Sequence, residues 1–472
     1  MFTLFGVEYI IPAIKNTHQY LKEILPIMSS RKNSLSTLGS HALLTTLALT
    51  VGQAYADDTA NQCEENDTEC TQQAMELIKV HGVRNSIYSV KESGDIRRVA
   101  ELVDTPQTIT VLTKDQIEES GKSDLKEILA AQAGVTLGTG ENGNAFGDRY
   151  IIRGHEARSD VFVDGLRDPG MTTRESFATQ QVEITKGPSS TFAGRGSSGG
   201  AVNSITKKAS TAYDFGRVDL SIGTDDHHRV VLDYNTPISE NIATRINLLS
   251  TEEDAPNREG ISRSRQGALL SGLYDNADDL LVYTDFYYLE AKDTPDLGSY
   301  FDSATRKPVE DIPVYAQTDD FLDSKVFAFT IRSEYDINEN LKFYNATRYG
   351  ETDNGYMSTG ARGSVRADED IFAPGADTIT LSRHQGWQEV EYFTTQFNLF
   401  WDVSTGGLDH KVLFGLEFSD EEVNNGFYGF NDDKNATNCA TNGRRGLSEG
   451  HCLINGAGDV YPQANSLIGG SV

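Results

Sequence analysis

Basic residues are scarce in this 472-residue sequence. Forty-one lysines and arginines face 70 aspartates and glutamates, a formal net charge of −29. That balance excludes a protein that holds nucleic acid through a general positive field. Long apolar runs are also missing. With 38% hydrophobic residues and a mean hydropathy of −0.42, no segment reads as a membrane-spanning helix. The four cysteines form no C-x-x-C pair and no Cys/His cluster, so nothing indicates a zinc or other metal site. No Ser/His/Asp arrangement and no paired carboxylates in a cleft are visible, and the chain is not read as an enzyme. What it does hold is 20 tyrosines, 21 phenylalanines and 43 glycines, a composition of strands, turns and aromatic surfaces.

The N-terminus reads as an export signal. Arg31-Lys32 is its positive part, Ala42–Val51 its short apolar core and Ala54-Tyr55-Ala56 its small-x-small cleavage site. Cleavage is expected after Ala56, Met28 is a more natural start than Met1, and residues 1–56 are set outside the fold. Export permits disulfides, and the cysteines fall in two local pairs, Cys63 with Cys70 and Cys439 with Cys452.

Residues 57–99 read as a polar tail. It carries one short apolar stretch, Met75–Gly82, which is either a first strand or a strand offered to a partner's sheet edge. Residues 100–210 show a compact α/β pattern. Thr108–Leu112 alternates as a strand, Thr113-x-x-Gln116 is a capping box, and Asp124–Gln132 reads as a second helix. Strand-like runs follow at Tyr150–Arg153, Val161–Asp164 and Gln181–Ile184, separated by glycine-rich loops. Gly194-x-Gly196-x-x-Gly199 has dinucleotide-loop spacing. It leads into the β-branched run Ala201–Lys207, though, where that site needs a helix, so no nucleotide is implied.

From residue 211 to 472 the texture changes. Nine alternating runs begin with Val218, Leu220 and Ile222 and continue to His410–Phe418, with arginine, aspartate and asparagine recurring on the opposite face. Runs of about ten residues in an exported protein fit a transmembrane β-barrel, apolar to lipid and polar to the lumen. The short turns Pro237–Asn241, Asp275–Asp278, Asp336–Asn340 and Ser404–Leu408 alternate with longer connections such as 291–324 and 351–388. Nine strands do not close a barrel, so the sequence is expected to be a fragment or a truncated product without transport function.

Four stretches carry a resemblance. They are "VDTPQTITVLTKDQIEESGKSDLKEILAAQAGV" from Val103, "RGHEARSDVFVDGLRD" from Arg153, Val182-Glu183-Ile184-x-Lys186-Gly187-Pro188, and "GGAVNSI" from Gly199. In order and spacing they resemble the plug of the TonB-dependent outer-membrane receptors, and within these the Fiu-like catecholate siderophore group. His155 departs from the usual phenylalanine after Arg-Gly. The resemblance implies an α/β plug inside an antiparallel barrel, 22-stranded in the family. It implies import of a ferric catecholate siderophore across the outer membrane, with TonB and membrane lipid as partners and no covalently bound cofactor. A haem or cobalamin cargo is the alternative. It makes Met75–Gly82 the TonB box, with Glu76, Leu77, Ile78, Lys79 and Val80 at its centre. It assigns Arg153, Gly154, Asp164, Gly165, Glu183, Lys186 and Gly187 to plug motifs, and it makes the glycine-rich turn a matter of close packing and positive φ.

An anionic, aromatic cargo calls for cations and rings. The outward plug loops offer Phe146, Arg149, Arg167, Met171, Arg174 and Phe177 as ligand contacts, and the barrel loops add Arg362, Arg366, Arg383, Arg444 and Arg445. Glu183 and Lys186 are expected to make ion pairs between plug and barrel wall. Asp164 and Asp168 are expected to form a network with Arg153 and Arg167.

Overall fold

The computed structural model describes residues 88–138, 147–157, 160–296, 316–366 and 378–429, with a few short stretches between and beyond them. The export signal, Glu76–Val80, Cys63 and Cys70 lie outside these residues, as do the side chains of Cys439 and Cys452.

The first part begins with β1 (Thr108–Thr113), α1 (Lys114–Glu119), α2 (Leu125–Ala130), β2 (Val135–Leu137), β3 (Tyr150–Ile152) and β4 (His155–Glu156). It continues with β5 (Val161–Val163), β6 (Leu166–Arg167), β7 (Thr179–Lys186), α3 (Ser190–Ala193) and β8 (Gly200–Thr206). The Thr113 hydroxyl accepts from the Gln116 amide, and the Gln116 side chain accepts from the Thr113 amide, so the capping box starts α1 as read from sequence. Asp124 caps α2 through the Lys126 amide. Five strands form one sheet in the order β1-β7-β8-β5-β6, with β5 and β8 parallel. The α-helical faces close on it through Ile117, Leu125 and Leu129, packed with Tyr150, Val182 and Val202.

Two motif pairs turn out to be hairpin turns. Arg153-Gly154 joins β3 to β4, and Asp164-Gly165 joins β5 to β6. All four residues have positive φ, +50° and +83° in one turn, +52° and +78° in the other. Type I′ two-residue turns require this, and Asp-Gly supplies it readily. The glycine-rich loop answers to crowding as well. A Cβ on Gly199 would lie 2.1 Å from the Ile152 carbonyl oxygen, and one on Gly200 2.1 Å from that of Thr185.

Nine long strands follow as an antiparallel meander: β9 (Phe215–Ile222), β10 (His228–Pro237), β11 (Ile242–Asp254), β12 (Ser262–Asp275) and β13 (Leu280–Asp293), then, after the loop hairpin β14–β15 (Phe301–Asp302, Lys307–Pro308), β16 (Phe321–Asn338), β17 (Leu341–Arg366), β18 (Thr378–Thr405) and β19 (Leu408–Gly426). Two loop strands, Cys439–Gly443 and Gly446–Cys452, join the sheet between the outer ends of β17 and β18. The strands are longer than expected: β17 has 26 residues and β18 has 28. Most of 351–388, read from sequence as a loop, is therefore strand. About ten residues suffice to cross a bilayer, and the polar remainder keeps its ladder hydrogen bonds beyond it, where apolar alternation is not needed.

Burial alternates along most of the wall strands, though not along β19, which is exposed over nearly its whole length. Val218, Leu220 and Ile222 are exposed on one face, as are Leu248, Leu270 and Phe286. Asp233, Asn235, Arg245, Asn247 and Arg265 are buried on the other, against the first part of the chain. Val231, which breaks the alternation of its run, is apolar on the inward face. It packs with Phe177, Leu249 and Leu269. Among the described residues no helix is long and apolar enough to cross a membrane. The fold is an α/β plug held against barrel strands.

Candidate functional site

Plug and wall meet through many charged side chains. Plug acids face wall arginines. Asp164 pairs with Arg332 at 3.0 Å and Arg348 at 3.6 Å. Glu175 pairs with Arg229 at 3.0 Å and Arg265 at 3.8 Å. Glu118 meets Arg217 at 2.7 Å and Glu127 meets Arg263 at 3.4 Å. Other pairings are reversed: plug Lys207 and Lys114 reach wall Asp233 at 3.0 and 3.8 Å, beside the bidentate Arg245, and plug Arg195 meets wall Glu421 at 2.8 Å.

These pairs shift the plug groups in opposite senses. Burial alone would raise the Asp164 carboxyl, but Arg332 and Arg348 outweigh it and hold it below its ordinary value. Burial pushes Glu175 up to about 7 against the pull of Arg229. Burial also lowers the Lys207 ammonium to about 8, against Asp233. Asp148 accepts from the Tyr150 hydroxyl and the Arg174 amide, and burial, then Asp124, raise it to about 7.

The expected ligand contacts divide. Arg149 is partly exposed and holds Glu156 through two hydrogen bonds of 3.0 and 2.7 Å. Met171 is half-buried. Phe146 lies outside the described residues. The other three are buried and engaged in contacts of their own. Arg167 is buried over the Phe162 ring and donates to Asp160 and to the carbonyls of Ala193 and Arg195. Arg174 is buried and clamps Asp168 at 2.7 Å while donating to the Gly170 and Thr172 carbonyls. Phe177 is 3% exposed and stacks on Tyr287 of the wall. Arginine and phenylalanine in a loop carry no signal that tells a ligand contact from a loop staple.

The expected ion pairs are also rearranged. Among the described residues the hydrogen-bond partners of Glu183 do not lie on the wall. Glu183 accepts from Ser93, the Gly94 amide, Gln181 and Asn203, all within the plug. Among the described residues Lys186 has no carboxylate partner. The bridge to the wall belongs to Asp164 instead, and the expected four-residue network is replaced by separate pairs, Asp168 with Arg174 and Arg167 with Asp160. Sequence reasoning passed over Arg229, Arg245, Arg265, Arg332 and Arg348. Their signal was available: arginines at lumen-facing positions of strands, each needing a counter-ion once buried.

A cavity of about 80 Å³ separates Asp164, Asp168 and Glu175 from Leu269, Tyr287 and Tyr392. That is well below the roughly 300 Å³ that a drug-sized ligand needs.

Residues 101–201 match the TonB-dependent receptor plug domain. The chain is 31% identical over 419 residues to the probable TonB-dependent siderophore receptor PiuA of Acinetobacter baumannii, a match covering 87% of this chain and 53% of that protein. It is 30% identical over 378 residues to the catecholate siderophore receptor Fiu of Escherichia coli K12, covering 76% of this chain and 49% of the relative. The crystal structure of the ferric-catecholate import receptor Fiu from E. coli K12, in its closed form, superposes with a TM-score of 0.67 at 27% identity, over 73% of this chain and 50% of that one. The chain spans about half the length of the curated relatives it matches. With a matching plug sequence and a plug-and-barrel fold shared with these relatives, it belongs to the family of TonB-dependent receptors.

Proposed function

We propose that the protein imports a ferric siderophore of the catecholate type across the outer membrane, driven through TonB. The observation that carries this reading is the plug itself. It is a folded domain seated against the barrel strands both by ion pairs, such as Asp164 with Arg332 and Glu175 with Arg229, and by apolar clusters around Phe177 and Leu166. The sequence similarity to receptors named for catecholates supports the cargo class. Met75–Gly82, with Glu76–Val80 at its centre, would be the segment TonB grips. Arg149 and Met171, with Phe146, would meet the cargo from the plug. The exposed apolar faces of β9–β19 would face lipid.

The test is uptake of radio-iron as a ferric catecholate into cells lacking their own catecholate receptors. Import that appears with this gene and vanishes without TonB, or with Ile78→Pro, supports the reading. Import of haem or cobalamin instead, or none at all, overturns it.

A further inference from the structure

Three side chains at one end of the wall make a contact that the seating of the plug does not use. Ser221, near the end of β9, and His227, just before β10, are joined by a hydrogen bond of 3.2 Å between Oγ and Nε2. The other ring nitrogen, Nδ1, lies 3.0 Å from Oε2 of Glu253 on β11. The second oxygen of Glu253 faces Arg263 on β12 at 3.7 Å. These residues sit at the end of the sheet that carries the long connections. In the ladder Ser221 stands opposite Arg229. It therefore shares the lumen face with Arg229, the partner of plug Glu175. The His227 ring is 20% exposed, so the contact is open to water and to small solutes.

The order of contacts fixes the tautomer of the neutral ring. A carboxylate only accepts, so Nδ1 carries the proton and donates it to Glu253. Nε2 is then the acceptor, and the Ser221 hydroxyl donates to it. Nucleophile, base and orienting acid are thus within hydrogen-bond reach of one another. Arg229 adds a cation beside the nucleophile, and its Nη1 has no hydrogen-bond partner among the described residues. No sequence motif announces this set. Its members come from two hairpins, and strand pairing alone brings them together.

We propose that Ser221, His227 and Glu253 form a hydrolytic site that cleaves carboxylic esters at the rim of the barrel. The Ser221 Oγ attacks the ester carbonyl carbon while its proton passes to His227 Nε2. Arg229 stabilises the negative oxygen of the tetrahedral adduct. The adduct expels the alkoxide, which takes the proton from His227 and leaves as the alcohol. Water repeats both steps on the acyl-serine, releasing the acid and restoring the hydroxyl. Glu253 and Arg263 are positioning residues. Asp225, Asp226, Glu252 and Asp254, each within two residues of His227 or Glu253, are exposed. That acidic rim selects uncharged or cationic esters over anionic ones, so the site is separate from the import of an anionic cargo.

The test uses the full chain purified from outer membranes, a fluorophosphonate probe and para-nitrophenyl acetate. The probe should phosphonylate Ser221, located by peptide mass spectrometry, and the ester should be hydrolysed. His227→Gln should lower both rates by about 100-fold. Glu253→Gln, which leaves the tautomer unfixed, should lower both at an unchanged melting temperature. Ser221→Ala should abolish both. An imidazole cleaves para-nitrophenyl acetate unaided, so hydrolysis that survives Ser221→Ala overturns the proposal. A Ser221 that takes no probe in the unsubstituted protein overturns it too, and that measurement needs no variant to fold. So does labelling that proceeds equally well without His227. Each of these outcomes leaves the import reading where it stands, since none of them measures uptake.

Discussion

At the residue scale the controlling fact is that charges are buried in opposed pairs. Asp164 sits in a hairpin turn, accepts from the Thr206 amide and hydroxyl, and answers two wall arginines. Asp164→Asn leaves Arg332 and Arg348 without that counter-charge. It should destabilise the plug–wall union by about 3–5 kcal/mol, read as a lower urea midpoint for plug release. Asp148 predicts the pH behaviour. Its folded value, raised to about 7, lies above the ordinary carboxylate value of 3.8. Its contribution is therefore full below that ordinary value and is lost as pH rises through about 7. The protein should melt at a lower temperature at pH 8 than at pH 5.5 through this group, and Asp148→Asn should flatten that difference. Melting curves of both forms at the two pH values decide it. These buried roles were not legible in the sequence. Arg167 and Arg174 differ from Arg149 only in what surrounds them, and their surroundings come from distant parts of the chain.

At the element scale the local signals were strong and correct. The Thr113-x-x-Gln116 box does start a helix, and Thr113→Ala should cost about 1 kcal/mol, measured as a fall in urea midpoint at unchanged slope. The turns were less well read, although the signal was there. Asp164-Gly165 between short apolar runs is a two-residue hairpin signature, and both of its residues adopt the required positive φ. Strand ends were the least legible feature. The bilayer imposes alternation only across its own thickness, so the outer parts of β17 and β18 look like loop sequence. Their pairing is supplied by each other, in register from Leu341 opposite Trp401 to Ser364 opposite Thr378.

At the scale of the whole molecule the plug is held in two ways. Ion pairs orient it, and apolar contacts anchor it, one around Leu166 and a larger one around Phe177. Phe177 enters a cluster of Val231, Leu249, Leu269 and Leu289 contributed by four wall strands. Phe177→Ala removes the ring and leaves a void, a loss of about 3–5 kcal/mol. Cells carrying it should become more permeable to large hydrophilic antibiotics. Unchanged permeability would show that the ion pairs and the Leu166 cluster suffice to keep the plug seated.

Composition, alternation and turn chemistry determined that this chain has an α/β part followed by barrel strands, because those signals act within a few residues. Glycine spacing alone suggested a nucleotide loop, and only the strand after it corrected that reading. What tertiary structure decided is which charge meets which. Glu183 and Asp164 look equivalent in sequence, two carboxylates in plug motifs. One turns inward to satisfy backbone and side-chain donors of its own domain, and the other reaches the barrel wall. That choice depends on the seating of one folded unit against another, and no local pattern encodes it.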